Sequence, residues 1–164
     1  MNNNLLLQSV LLSLESGKQE SIIAFVEDVV AFMCNEKNNS VLDDWEPEAL
    51  RQLVAYHLAK GTLIVSSDGE GNIAGVLMWY RCNDTDDWSM ITEWKEDRTQ
   101  YNALFLAFLY ADSKKAFQEI TRRVMQMEPE WESKSLIGLR AKNGNQPTRM
   151  DYPKTLFKKI LQLK

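Results

Sequence analysis

A chain of 164 residues with 45 % apolar and 26 % charged side chains is of single-domain size and reads as globular rather than disordered or fibrous. Its net charge of −4 is uneven, with 7 Lys/Arg against 17 Asp/Glu in residues 1–111 and 12 against 6 in residues 112–164. No dense basic run occurs, so nucleic acid is not the expected partner, and the basic C-terminal third is read as balancing the acidic remainder.

Asn4 can cap a short helix with Leu7, Val10, Leu11 and Leu14 on one side, ending near Gly17, so residues 1–17 read as an N-terminal helical extension. Leu5–Leu14 is too short to span a bilayer, and Met-Asn-Asn-Asn lacks the basic start of a signal peptide. A second helix over Gln19–Asn35 places Ile22, Val26, Val29, Val30 and Met33 at helical spacing. A third begins at Glu46-Pro47, carries Leu50, Leu53, Val54, His57 and Leu58 on one stripe, and stops at Lys60-Gly61.

The period then changes. Thr62–Ser66 is strand-like, Asp68-Gly-Glu-Gly-Asn72 is turn chemistry, and Ile73–Tyr80 is strand again. Residues 83–101 form an acidic excursion with Trp88, Ile91 and Trp94, followed by the apolar strand 102–111. Both 73–80 and 102–111 are apolar on two faces, as interior strands are. Phe117, Ile120, Val124 and Met127 mark a helix from Ser113 that Pro129 ends. Lys134–Ala141 reads as a strand, Lys142–Pro147 as a loop, and Pro153–Leu163 as a final helix. This order predicts a single-domain α/β (α+β) three-layer sandwich, with a mixed β-sheet and helices on both faces, over residues 1–164.

Several chemistries find no support in the spacing. Cys34 and Cys82 are far apart and outside any Cys/His cluster, so they read as reduced core thiols of an intracellular, cytoplasmic protein. His57, the one histidine, lies on an apolar helix stripe and reads as a packed core residue rather than a general base. Asp84-Thr-Asp-Asp87 lacks the glycine and terminal glutamate of a calcium loop and reads as a solvated acidic loop, so no metal is expected. Neither a nucleophile elbow nor a P-loop is present. Trp88, Trp94 and Trp131 lie in polar surroundings and read as seals at the ends of the core.

The turn at Asp68-Gly-Glu-Gly followed by Ile73-Ala-Gly-Val76, the buried strand 102–111 and the helix behind it resemble the fold of the GNAT superfamily of N-acetyltransferases. The resemblance implies an acyl-CoA-dependent N-acyltransferase that uses acetyl-CoA or another acyl-CoA and acts on a small-molecule or protein amine. The alternative is a catalytically silent GNAT-like module, serving as a binding or structural element and pairing as a homodimer through leucine-rich surfaces.

Active relatives carry a glycine-rich loop after the strand, because pyrophosphate needs close approach to backbone N–H groups at a helix N-terminus. Here the junction is Ala111-Asp-Ser-Lys-Lys-Ala-Phe117, without a glycine. The positions that correspond to a cofactor site are Asp112, Ser113, Lys114 and Lys115. The lysines offer phosphate-binding charge, Asp112 opposes it, and Ser113 also reads as a helix N-cap. The resemblance further implies a base at Glu93 or Tyr101 and a proton-donating acid at Tyr152. Each has a plain structural reading: Glu93 on a solvated segment, and the two tyrosines as packing residues at the core edge.

Overall fold

In a computed structural model, the described residues are 16–35, 45–87, 96–140 and 148–161. The extension helix, Glu93, Trp88, Trp94 and the loop 142–147 lie outside them. The fold class is α+β, with a mixed five-stranded sheet. The chain gathers into two compact units, Met1–Leu63 and Ile64–Lys164.

The first unit contains α1 (Ser16–Met33) and α2 (Pro47–Lys60), which pack against each other. Val26, Val29, Val30 and Met33 are buried on α1, and Leu50, Leu53, Val54 and His57 on α2, as the periodicity requires. Gly17, read from the sequence as a helix end, instead lies within α1. Gly61 does terminate α2: at φ 68° it adopts the left-handed conformation and donates its N–H to Leu58 O at 3.1 Å. Arg51 Nε reaches Glu27 Oε1 at 2.6 Å and ties the helices at their surface. One reading is corrected: Cys34, expected in the core, is exposed just past the last residue of α1, whereas Cys82 is buried.

The second unit is built on the sheet, whose strands β1 (Leu63–Ser67), β2 (Ile73–Cys82), β3 (Ala103–Ala111), β4 (Ser135–Arg140) and β5 (Thr148–Asp151) lie side by side in chain order. Asp68 closes the β1–β2 hairpin, its carboxylate accepting the N–H groups of Glu70 and Asn72 at 2.8 and 2.9 Å. β2 and β3 are antiparallel, β3 and β4 parallel, β4 and β5 antiparallel. The parallel step is made by α3 (Lys114–Met127) and a 3-10 turn at Trp131–Ser133. β5 was not foreseen in the sequence, and the final helix, α4, spans Lys154–Leu161.

β2 and β3 are out of step at one place. Met78 pairs with Phe108 and Trp79 with Leu106, leaving Ala107 as an extra residue, a β-bulge. A one-residue insertion reverses the side-chain parity. Leu104 and Leu106 before the bulge, and Leu109 and Ala111 after it, therefore all reach the same core. That core joins Leu77, Trp79 and Leu136 of the sheet to Ile120 and Val124 of α3, Phe157 of α4, and Trp131. Trp131 thus seals the core, as expected from its setting.

The five-residue β1 covers only half of the ten-residue β2. Beside the uncovered half, residues 97 and 98 take over. Arg81 N–H donates to Asp97 Oδ1 at 2.9 Å, and Arg98 N–H donates to Arg81 O at 3.0 Å.

Candidate functional site

Two places in the second unit bring chemistry-bearing residues together, and they lie at opposite ends of β3.

The first is where β3 and β4 part. Their parallel ladder runs from Ala103/Ser135 to Leu106/Gly138 and stops. From the bulge onward the register of β3 is with β2, as far as Gly75/Ala111, while Leu139 and Arg140 of β4 pair with Arg149 and Thr148 of β5. The fork therefore begins one residue before the bulge, and among the described residues no strand pairs with β3 beyond it on the β4 side.

Tyr152 sits at this fork. Its N–H donates to Leu136 O at 2.7 Å, and its ring meets Phe157 edge-on with centroids 6.0 Å apart. Gly138 makes the seat: a Cβ there would lie 2.7 Å from Tyr152 Cε2 and 3.1 Å from its hydroxyl oxygen. Gly138→Ala is expected to displace the ring and cost about 1–3 kcal/mol, the usual penalty of overpacking. Chemical unfolding should show this loss largely relieved in a Tyr152→Ala background; an equal loss in both backgrounds would mean that the ring is not what the methyl meets.

β3 leads from the fork into the glycine-free junction. Asp112 N–H donates to Ala74 O at 2.8 Å, which anchors the turn to β2. Ser113 is extended at φ −141° and caps α3, its Oγ accepting the Ala116 N–H at 3.1 Å. The serine is therefore engaged as an N-cap. Asp112 also faces Tyr110: partial burial, then the Asp112 charge and hydrogen bond, hold the Tyr110 hydroxyl above its ordinary range. Lys114 and Lys115 are exposed in the first turn, where N–H groups lack intrahelical acceptors.

The second place is a carboxylate cluster. Glu128, at the C-terminal cap of α3, is 1 % exposed. It accepts hydrogen bonds from Trp79 Nε1 and the Tyr101 hydroxyl, both at 2.8 Å, and pairs with Arg81 at 2.8 Å. Arg81 also reaches Asp97 at 3.2 Å. Lys134 Nζ lies 4.3 Å from the Tyr101 ring centroid, close enough for a cation–π contact. Burial first, then the hydrogen bond and charge of Glu128, raise the Tyr101 hydroxyl above its ordinary range. Burial opposes the charge on Arg81, but the Glu128 hydrogen bond and charge outweigh it and hold the guanidinium pKa above its ordinary value.

The structure thus separates the candidate residues. Tyr152 lies at the fork, Asp112, Ser113, Lys114 and Lys115 follow the end of β3, and Tyr101 precedes its start. At ~3.3 Å per residue, β3 sets Tyr101 on the order of 30 Å from Ser113. Tyr101 works as a hydrogen-bond donor to Glu128. Glu128 and Arg81 were not singled out in the sequence, because neither belongs to a local motif.

Other groups stand apart from both places. His57 is fully buried in the first unit, its Nδ1 2.8 Å from Thr62 Oγ1. Burial above all, with help from the nearby Lys60 charge, lowers its pKa from 6.5 to about 3. The ring is neutral at pH 7, as a packed histidine should be. The acidic loop is more engaged than expected: Asp86 accepts the Asn83 N–H at 2.9 Å and pairs with Arg98, and Asp84 bonds Asn102. Among the described residues, no group of three or more His, Cys, Asp or Glu side chains is placed to hold a metal. No helix among them is long and apolar enough to cross a membrane. No protein-family model and no curated protein matches this chain.

Proposed function

We propose that the chain is a divergent acyl-CoA-dependent N-acyltransferase, acting on an amine at the fork between β3 and β4. The observation that carries this reading is the fork itself. Two parallel strands separate beside a bulge, and a tyrosine is seated at the point of separation. The amides of a pantetheine chain would run along the β4 side of β3 beyond the fork, and Lys114 and Lys115 are the side chains that would meet its phosphates. When bound, the acyl-CoA supplies an activated thioester. Tyr152 is the residue proposed to return a proton to the leaving sulfur. Glu93, the base that the resemblance implies, lies outside the described residues.

A second reading, a silent GNAT-like binding or structural module, is favoured by the junction. Asp112 puts negative charge where phosphate would sit, and Ser113 Oγ already takes the Ala116 N–H. Thermal melting with millimolar acetyl-CoA or free CoA separates the two. Ligand at about 100 times its dissociation constant stabilises a fold by ~2.7 kcal/mol, worth roughly 2–4 °C per kcal/mol at this size. The enzyme reading expects that shift, its loss in Lys114→Ala/Lys115→Ala, and retained binding without turnover in Tyr152→Phe. No shift at saturating ligand would leave the silent module.

A further inference from the structure

We infer that the outer edge of β5 pairs with the same edge on a second copy of this chain, about a two-fold axis, joining two five-stranded sheets into one.

β5 ends the sheet: β4 lies on one side of it, and among the described residues no strand lies on the other. The ladder to β4 fixes which backbone groups face that open side. Tyr152 N–H donates to Leu136 O, so Leu136/Tyr152 is a hydrogen-bonded pair. Bonded and non-bonded pairs alternate along an antiparallel ladder. Gly138/Met150 and Arg140/Thr148 are therefore bonded pairs, whereas Ile137/Asp151 and Leu139/Arg149 are not. The N–H and C=O groups of Arg149 and Asp151 thus point away from β4, and no backbone acceptor or donor meets them among the described residues. Pro153 follows, with no N–H to offer.

The side chains carry a matching signal. Arg149 and Asp151 are exposed, two residues apart on one face of the strand, with Arg149 Nη2 3.0 Å from Asp151 Oδ1. Arg149 also donates to Asp84 O, which holds its guanidinium in place. An antiparallel strand laid on this edge should set an acid opposite Arg149 and a base opposite Asp151. Read in its own chain direction, that strand is Arg-x-Asp, which is the sequence of β5 itself. A second copy centred on Met150 therefore sets Arg149 of each chain opposite Asp151 of the other. The same register brings the outward N–H groups of each copy to the outward C=O groups of the other, so backbone and charge select one alignment.

For an unrelated strand the edge is unwelcoming. It is four residues long, carries exposed charges of both signs and runs into a proline, all of which discourage indiscriminate pairing. A second copy is the occupant that turns those charges from a barrier into a match. The contact is isologous and closes as a dimer. A strand pair this short buries less than a standard interface, so the dimer should be weak. It forms whether or not the fork binds a cofactor.

Amide hydrogen exchange of the full chain, followed by NMR, tests the pairing. The Arg149 and Asp151 amides are open in the monomer and should gain protection as protein rises from about 0.05 mM to about 2 mM. Over the same range, sedimentation velocity should move from the 18.9 kDa monomer toward the dimer. Arg149→Asp and Asp151→Arg each set like charges opposite one another, and each should be monomeric alone. An equimolar mixture of the two should recover the heavier species. The exchanged pair Arg149→Asp/Asp151→Arg should recover it unaided, because Asp-x-Arg is again its own complement. Wild-type exchange at Arg149 and Asp151 that does not depend on concentration, or an assembly that survives both single reversals, overturns the inference.

Discussion

Glu128→Ala should lower the stability of this protein by about 3–5 kcal/mol, the usual cost of removing one partner from a buried ion pair. At this chain size the melting temperature should fall by roughly 10 °C. The reason lies in what is left behind. Trp79 Nε1 and the Tyr101 hydroxyl would lose their acceptor, and Arg81 would keep only Asp97. Arg81 remains about one-third exposed, so the upper part of the range is the less expected one. Glu128→Gln keeps the shape but sets an NH₂ group against donors, and should recover only part of the loss. A Glu128→Ala/Arg81→Met pair should lose less than the sum of its single changes, because the stranded charge is gone. Urea unfolding of the four proteins gives the coupling. A single-variant loss below about 1 kcal/mol would show that water replaces the carboxylate at little cost.

His57 should make the protein acid-sensitive in a window that its surroundings define. In the fold the ring stays neutral down to a pKa of about 3, whereas in the unfolded chain it takes a proton near 6.5. Below the higher value the unfolded state binds more protons, so acid favours unfolding. The contribution is fully present above about pH 6.5 and is lost as the pH falls from there toward 3. At ~1.4 kcal/mol per pKa unit, the full window is worth on the order of 5 kcal/mol. Carboxylates titrate in the lower half of the same range, so the informative quantity is a difference. The stability gap between wild type and His57→Gln should narrow steadily from pH 7 to pH 4.5. A gap that is flat with pH would mean that the ring gains its proton without leaving the core.

Much of this fold can be read from the sequence, and the exceptions share a cause. Long elements with a strong period, such as α3 with Phe117, Ile120 and Val124, are legible because one face is wet and the other dry. β2 and β3 are legible as strands by their unbroken apolar runs. Those same runs hide the bulge at Ala107, because a change of parity leaves no trace in a strand that is apolar on both sides. The fork begins beside that bulge and is hidden with it. β5 is four residues, Thr-Arg-Met-Asp, too polar and too short to show alternation. Glu128 stands just before Pro129, where a glutamate ordinarily marks a solvated helix end. Its burial comes from Trp79, Arg81 and Tyr101, which belong to other elements, and no local pattern records that. Cys34 was misplaced for a related reason: α1 stops at Met33, and the next residue is already outside.

The short segment beside Arg81 has a further consequence for solubility. A half-covered β2 would expose a row of unsatisfied amides and carbonyls along an apolar ribbon, a template onto which another chain could add a strand. Asp97 and Arg98 occupy part of that row, and the Asp97 carboxylate stands where a foreign carbonyl would have to bond. The clamp also brings charge to the rim, because the Arg81 guanidinium grips the same carboxylate and Arg98 is held by Asp86. Two residues of backbone and two ion pairs thus act as a gatekeeper, withholding this stretch of sheet from neighbouring molecules.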